Sequence, residues 1–102
     1  MSELMEKALD AVKKKLEGED IGASVKFNID GEGSIMVDES GIRIEDGEAE
    51  CTLIADFATV SELMQGDLSP TAAFMSGRLK VEGSMSIAMQ LNNIFSWYAI
   101  EI

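Results

Sequence analysis

Histidine does not occur in this chain of 102 residues, and its absence limits the chemistry that the chain can perform. It removes the side chain that most often serves as a general base, as a zinc ligand and as a pH switch. Cys51 is the single cysteine. No disulfide can therefore form within the chain, and a reducing compartment is the simpler interpretation. We expect a cytoplasmic location.

Basic residues are also scarce. The chain has 8 lysines and arginines against 19 aspartates and glutamates, which gives a formal net charge of −11. Such a surface repels phosphate backbones and anionic bilayers, so we expect no nucleic-acid partner and at most transient membrane contact. No apolar run approaches the roughly 18 residues of a membrane span. Glu3 and Glu6 stand where a signal peptide would be basic.

The residues that are present show clear helix and strand periodicities, and the length fits a single domain over residues 1–102. The hydrophobic fraction of 46% and the single proline are those of a folded chain. Near the start, apolar residues recur at steps of three and four, which predicts a helix over residues 3–17. These residues are Leu4, Met5, Ala8, Leu9, Val12 and Leu16.

The apolar spacing then changes to two, which is typical of strands that bury one face. Four strands are predicted between residues 24 and 56, with a turn at Gly31–Gly33. Asp46-Gly47 favours a hairpin between the third strand and the fourth. The inward positions are Val25, Phe27, Ile29, Ile35, Val37, Ile42, Ile44, Ala49, Cys51, Leu53 and Ala55.

Helical signals return in the second half of the chain. Thr59 and Glu62 have the spacing of a capping box, which predicts a short helix that ends at Gly66. Ser69 and Pro70 have the pattern of an N-cap followed by a proline in the first helical position. Two short helices are therefore expected in succession.

A fifth strand and a last helix complete the pattern. Leu79 and Val81 alternate with charged residues, Gly83 ends that strand, and Ser84 can cap the helix that follows. The predicted order is α-β-β-β-β-α-α-β-α. Because the strands cluster early and the helices are segregated, we expect an α+β fold with one sheet covered on one face by helices.

The sequence gives little support for a metal site or a phosphate site. A cluster of carboxylates could suggest calcium, but it lacks EF-hand spacing, and a solvated sheet edge is the favoured interpretation. Asp30–Gly33 is rich in glycine but lacks the spacing and the lysine of a phosphate loop, so a hairpin turn is favoured there. The carboxylates in question are Glu45, Asp46, Glu48 and Glu50.

The sequence gives equally little support for a catalytic nucleophile. Cys51 lies on the inward side of a predicted strand, and the chain has no histidine to activate it, so it is interpreted as a small buried hydrophobe. Ser84 and Lys80 form a formal pair that matches no catalytic motif. We therefore expect no catalytic residue, no metal site, no cofactor and no enzymatic activity.

Flexible and aromatic apolar residues are abundant between residues 64 and 95. They fit two interpretations: ordinary core, or a surface that adapts to apolar ligands of different shapes, for which methionine is well suited. Spacing alone leaves both open. The residues are Met64, Phe74, Met75, Met85, Met89 and Phe95.

Several motifs of this region resemble those of a known family. Gly66 precedes Pro70 by four residues, and Ala73-Phe74-Met75, Gly77, Leu79-Lys80-Val81-Glu82-Gly83, Met85, Ala88-Met89 and Leu91 follow. Upstream, Glu48–Leu53 resembles an acidic strand that contains a cysteine. In these motifs, and over nearly its whole length, the chain resembles the sterol carrier protein-2 family, also called the sterol-binding domain.

The resemblance implies a five-stranded mixed sheet whose fourth strand crosses over to pair with the first, against the local hairpin signal at Asp46-Gly47. It also implies an apolar tunnel between the sheet and the helices, and non-catalytic binding and carriage of a fatty acid, a fatty acyl-coenzyme A or a sterol-like lipid. We predict a pocket lined by Phe27, Phe57, Leu63, Met64, Phe74, Met75, Ile87, Leu91 and Phe95.

Two further hypotheses stand beside the lipid carrier. One is an accessory or interaction module of the same fold, whose cavity has become filled core and which acts through a protein partner. The other is an enzyme, which the lack of histidine and of any paired acid–base motif disfavours. Trp97 and Tyr98 belong to an apolar tail. This tail is interpreted either as a lid over the tunnel or as a patch for homodimer formation.

Overall fold

Among the described residues, four helices and five strands form in the order that the apolar spacing predicts. The structure is a computed structural model, and it describes residues 3–18 and 22–95, with side chains as far as Leu91. The elements are α1 (Glu3–Leu16), β1 (Val25–Ile29), β2 (Gly33–Asp38), β3 (Gly41–Ile44), β4 (Cys51–Ala55), α2 (Phe57–Gln65), α3 (Pro70–Met75), β5 (Lys80–Gly83) and α4 (Met85–Phe95).

The five strands form one mixed sheet in the order β3-β2-β1-β4-β5. β1 is antiparallel to β2 and parallel to β4, with Val25 opposite Cys51 and Phe27 opposite Leu53. The hairpin predicted at Asp46-Gly47 is therefore wrong, and the crossover implied by the family resemblance is confirmed. The physical reason is that β4 is a central strand, paired on both sides, which β3 at the sheet edge cannot reach by a tight turn.

The crossover segment, residues 45–50, is fastened to β1 by side-chain bonds. Lys26 alternates with the buried Val25 and Phe27, so it lies on the face of the sheet away from the helices. Its Nζ donates to Asp46 Oδ1 at 3.1 Å and to the carbonyl oxygen of Gly47 at 2.9 Å. Asp46-Gly47 is thus an anchoring point of the crossover.

Ser24 and Glu50 hold the end of the crossover in a reciprocal pair. The Ser24 amide donates to Glu50 Oε2 at 3.0 Å, and the Glu50 amide donates to Ser24 Oγ at 2.9 Å. Because Ser24 directly precedes β1 and Glu50 directly precedes β4, this pair sets the parallel register of the two strands. The acidic cluster is therefore used in part to join strands.

The helix caps agree with the sequence prediction at two of three helices. Ser69 Oγ accepts from the Ala72 amide at 3.1 Å, and Ser84 Oγ accepts from the Ile87 amide at 3.4 Å. The capping box predicted at Thr59 is wrong. α2 begins earlier, because Asp56 is its N-cap.

Helices α1 and α4 cover the two ends of the sheet. α1 packs against α2 and β3, and α4 packs against β4 and β5. The apolar stripe of α1 is confirmed, since Met5, Ala8, Val12 and Leu16 are all buried. The core therefore runs from β3 to β5 along one face of the sheet. Within the described part of the chain, no helix is long and apolar enough to cross a bilayer.

Candidate functional site

A cavity of about 310 Å³ lies between the β4–β5 end of the sheet and helices α3 and α4. Its floor comes from the strands and its walls come from the helices. The lining consists of Leu53, Pro70, Thr71, Phe74, Leu79, Val81, Met85, Ala88, Met89 and Leu91.

The floor follows from strand alternation and register. Leu53 of β4 is the partner of Val81 in β5, so the two side chains stand beside each other on the face that the helices cover. Leu79 precedes Val81 by two residues and faces the same way. Leu53 and Leu79 are each 5% exposed, so the floor is firmly packed from below.

The α3 wall is positioned by the turn that joins α3 to β5. Ala73 is fully buried, and its carbonyl oxygen accepts from the amides of Arg78 at 2.9 Å and Leu79 at 3.0 Å. These bonds place the end of α3 directly beside the floor residue Leu79. Pro70 and Phe74 stand four residues apart on α3, so they share the side of the helix that faces the cavity.

The residues of the α4 wall are also brought to one side of their helix by helical periodicity. Met85, Ala88 and Met89 recur at steps of three and four, which places them on one side of α4, and Leu91 continues that side toward the core. Leu91 is 1% exposed, whereas Met85 and Met89 are 55% and 67% exposed. The cavity is therefore closed at its deep end and bordered by methionine where it meets solvent.

The predicted pocket residues divide into several groups. Phe74 and Leu91 line the cavity. Phe27, Leu63, Met64 and Ile87 are buried in the core, and Phe57 is partly buried against it, all outside the cavity lining. Met75 is 81% exposed and lies outside the lining as well. The side chain of Phe95 and the tail with Trp97 and Tyr98 lie outside the described residues.

Most of the lining was not in the predicted set. Leu53, Leu79 and Val81 were assigned to inward strand faces, but their position beneath a cavity depends on β4 and β5 being neighbours at one end of the sheet. Met85 and Met89 were among the flexible apolar residues weighed as a ligand surface, and their spacing on the last helix is the signal that could have added Ala88. Thr71 carries no sequence signal for such a role.

Few polar or reactive side chains of the described residues lie at the cavity. Thr71 is the one polar residue among the described lining residues. Cys51 is fully buried, and burial raises the pKa of its thiol. The protonated thiol, which is unreactive, is therefore favoured over the thiolate. Groups of three or more histidine, cysteine or acidic side chains able to hold a metal ion do not occur among the described residues.

The acidic cluster that was weighed as a calcium site makes structural bonds at three of its members. Besides the bonds of Asp46 and Glu50 within the crossover, Glu45 Oε1 accepts from Arg43 Nε at 3.1 Å. The carboxylates are thereby directed to separate partners along the strands. Asp46 and Glu50 thus fasten the crossover to the central strand β1, and the sheet-edge interpretation of the cluster stays a prediction.

Comparison with known proteins gives a family match over almost the whole chain. The model of the SCP-2 sterol transfer family matches residues 2–96. Sterol carrier protein 2 of Gallus gallus is 36% identical over 64 residues, which make up 63% of this chain and 11% of that protein. The chain thus spans a small part of the length of the curated relatives that it matches.

Solved structures of the family share the fold. Sterol carrier protein-2 from Aedes aegypti, determined in complex with a C16 fatty acid (palmitate), matches with a TM-score of 0.73 at 20% identity, over 94% of this chain and 97% of that chain. Sterol carrier protein 2-like 2 from the same organism matches with a TM-score of 0.73 at 15% identity, over 88% of this chain and 94% of that chain.

Proposed function

This chain belongs to the SCP-2 sterol transfer family, and we propose that it binds and carries a non-polar lipid in the cavity beneath α3 and α4. The observation that carries the proposal is the composition of that cavity: about 310 Å³, with nine apolar residues and one threonine in its lining. Ligand sites of proteins begin at about this size and are mostly apolar, with few polar groups.

The binding energy would come from apolar burial. Each methylene group removed from water contributes about 0.8 kcal/mol before the cost of ordering the ligand is subtracted. Deep burial of Leu91 and Leu53 at the closed end gives an alkyl chain a dry surface to contact. The exposed methionines at the open end, Met85 and Met89, can adapt to ligands of different cross-section.

The proposal includes no reaction. A catalytic group needs a nucleophile or base within reach of the bound molecule, and Thr71 is the only hydroxyl among the described lining residues. Binding without chemistry is also consistent with the lack of histidine in the sequence. A cytoplasmic location and a homodimer formed through the tail stay predictions from the sequence.

Lipid carriage can be tested on the protein purified from its own source under non-denaturing conditions. Native mass spectrometry should find a bound lipid, and extraction into organic solvent should identify it. A matched pair of variants then connects the lipid to the cavity. Ala88→Trp places an indole in the cavity wall, whereas Ala58→Trp places the same group on an exposed position of α2.

Ala88→Trp should lose most of the co-purified lipid while still folding, and Ala58→Trp should keep it. Melting of both variants by circular dichroism checks that each is folded. Retention of lipid by a folded Ala88→Trp protein would place the lipid elsewhere and contradict the proposal. Absence of lipid from the wild type, together with no uptake of added long-chain alcohol, would favour the alternative of an interaction module.

A further inference from the structure

We propose that the free edge of β5 is a binding surface for a second copy of this chain. In this dimer the two β5 strands run antiparallel about Val81, and Lys80 of each copy lies opposite Glu82 of the other. The two five-stranded sheets then continue as one. This inference concerns the edge of the sheet, and it stands whether or not the cavity binds a lipid.

The two edge strands of the sheet differ in what surrounds them. Helix α1 packs against β3, and Arg43, the charged residue of that strand, is held by Asp38 and Glu45. β5 pairs with β4 on one side, and among the described residues no strand pairs with its other side. Lys80 and Glu82 on β5 are exposed. The outer edge of β5 is therefore accessible to another strand.

The hydrogen bonds of β4 show which main-chain groups of β5 point outward. The Cys51 amide donates to the carbonyl oxygen of Ser24 at 3.3 Å, which is toward β1. Because main-chain groups point alternately to the two sides of a strand, Leu53 also directs its amide and carbonyl toward β1. Its register partner Val81 is then in a non-hydrogen-bonded pair with it. The amide and the carbonyl of Val81 therefore point away from β4, toward the free edge.

A second copy that meets this edge at Val81 satisfies both of these groups. An antiparallel pair about a two-fold axis places Val81 opposite Val81 of the second copy, and each amide donates to the carbonyl oxygen of the other. Such a contact uses the same patch on both copies, so it closes as a dimer and does not extend into a fibre. Val81 also lines the cavity floor, and Val81 of the second copy extends that floor by one strand.

The charges on β5 are complementary to themselves in this register. Lys80 and Glu82 flank Val81 and share the outer face of the sheet, and neither takes part in an ion pair within the described part of the chain. With Val81 on the two-fold axis, two Lys–Glu pairs form in non-hydrogen-bonded positions, where side chains of opposite strands are closest. Registers centred on Lys80 or on Glu82 place like charges opposite each other and are disfavoured.

Exposed apolar side chains stand at the same end of the sheet as this edge. Phe74, Met85 and Met89 are 51%, 55% and 67% exposed on α3 and α4. The two-fold axis is perpendicular to the sheet, so the helices of both copies lie on one face and these side chains are brought toward those of the second copy. Their burial opposes the repulsion between two proteins of net charge −11. Because β5 has four residues, the contact is small and the dimer is weak.

Sedimentation equilibrium of the full chain measures the association directly. The protein is examined from about 10 μM to about 1 mM, in about 0.15 M salt, which screens the repulsion between the two acidic copies. We expect a reversible equilibrium between monomer and dimer within this range, without larger species. A chain that stays monomeric at about 1 mM, or that forms open-ended oligomers, would overturn the inference.

Charge-reversal variants test whether β5 is the contact. Lys80→Glu turns both ion pairs into repulsions, so we expect its dissociation constant to rise at least about tenfold, whereas Lys7→Glu makes the same change of net charge on an exposed position of α1 and should leave the constant within about twofold. Glu82→Lys should also weaken the dimer.

A mixture of the Lys80→Glu and Glu82→Lys proteins should associate again, because two acidic positions then face two basic ones. Circular dichroism checks that each variant is folded. Equal dimer formation by Lys80→Glu and Lys7→Glu, or a mixture that associates no better than its components, would place the contact elsewhere and overturn the inference.

Discussion

Leu53 and Val81 are register partners in neighbouring antiparallel strands, and both side chains form the floor of the cavity. Leu53 is nearly buried, whereas Val81 is half-buried. We expect Leu53→Ala to lower the free energy of unfolding by about 2–4 kcal/mol, because the loss of buried methyl groups enlarges an existing void. Val81→Ala should cost less, since part of its surface is already in water.

Urea unfolding of the two variants, with and without the long-chain alcohol decanol, measures this difference. Decanol should return part of the lost stability to Leu53→Ala, because a ligand that binds the folded state shifts the unfolding equilibrium. Equal costs for the two substitutions would show that the depth of burial at the floor does not control stability there.

Phe74 and Met75 are neighbours on α3 that differ in their relation to the cavity. Phe74 lines it, and Met75 is 81% exposed outside the lining. Phe74→Ala should weaken decanol binding by roughly 1–2 kcal/mol, because apolar area that covers the ligand is removed. Met75→Ala should leave binding nearly unchanged. Calorimetric titration of both variants checks the pair, and a larger loss from Met75→Ala would place the ligand on the outer side of α3.

Gly83 marks the point where β5 ends against the start of β4. Its φ is +93°, and a Cβ at this position would overlap the carbonyl oxygen of Glu50, which accepts from the Ser84 amide at 2.8 Å. Gly83→Ala should therefore combine backbone strain with a clash against main chain, and we expect a loss of stability of about 2 kcal/mol or more.

Gly77 provides the matched control for this substitution. Its φ of +84° is similar, but a Cβ there would meet nothing within 4 Å. Gly77→Ala should therefore show the cost of the left-handed backbone alone, about 1 kcal/mol. Chemical unfolding of both variants separates the two contributions. If Gly83→Ala and Gly77→Ala lower the free energy of unfolding equally, the close approach to Glu50 is relieved by movement of the strands.

Asp56 makes the stability of α2 depend on pH. Hydrogen bonds from the Thr59 side chain and from the Thr59 amide, the latter at 2.8 Å, lower the pKa of the Asp56 carboxyl below its usual value of 3.8. A carboxyl whose pKa is lowered by folding contributes stability that is complete above its unfolded value and is lost as pH falls through its folded value. The contribution therefore disappears below about pH 3.8.

Two variants of Asp56 isolate this effect. Asp56→Ala removes the cap and should cost about 1 kcal/mol at neutral pH. Asp56→Asn keeps an oxygen acceptor without a titrating group, so its stability relative to wild type should rise as the pH falls below about 3.8. Urea unfolding across this range gives the difference curve. A difference that does not change with pH would exclude Asp56 as a source of acid sensitivity.

Local signals in the sequence predicted most elements of the fold, and the exceptions have physical causes. The caps at Ser69 and Ser84 and the apolar stripe of α1 depend on residues a few positions apart, and they are confirmed. Asp46-Gly47 is an equally local signal, but the partner of β4 is decided by burial on both sides of a central strand. Only the family resemblance carried that long-range information, and the parallel pairing of β1 with β4 confirms it.

The candidate site was harder to predict because core and cavity have the same composition. Phe27 and Leu91 are both apolar and 1% exposed, yet only Leu91 lines the cavity. Which of two such residues borders empty space depends on the spacing of the elements around it. That spacing is set by the turn from α3 to β5, whose bonds to the Ala73 carbonyl no residue pattern indicates.

The parallel pairing of β1 with β4 also has a consequence for how the chain folds. β1, β2 and β3 are neighbours in sequence and can form as a meander, whereas β4 must close a long loop before it contacts β1. Pairings of large sequence separation slow folding, because the entropy of loop closure is lost before contacts compensate for it. The cavity is built from β4 and the elements after it, so we expect it to form only after this slow long-range pairing.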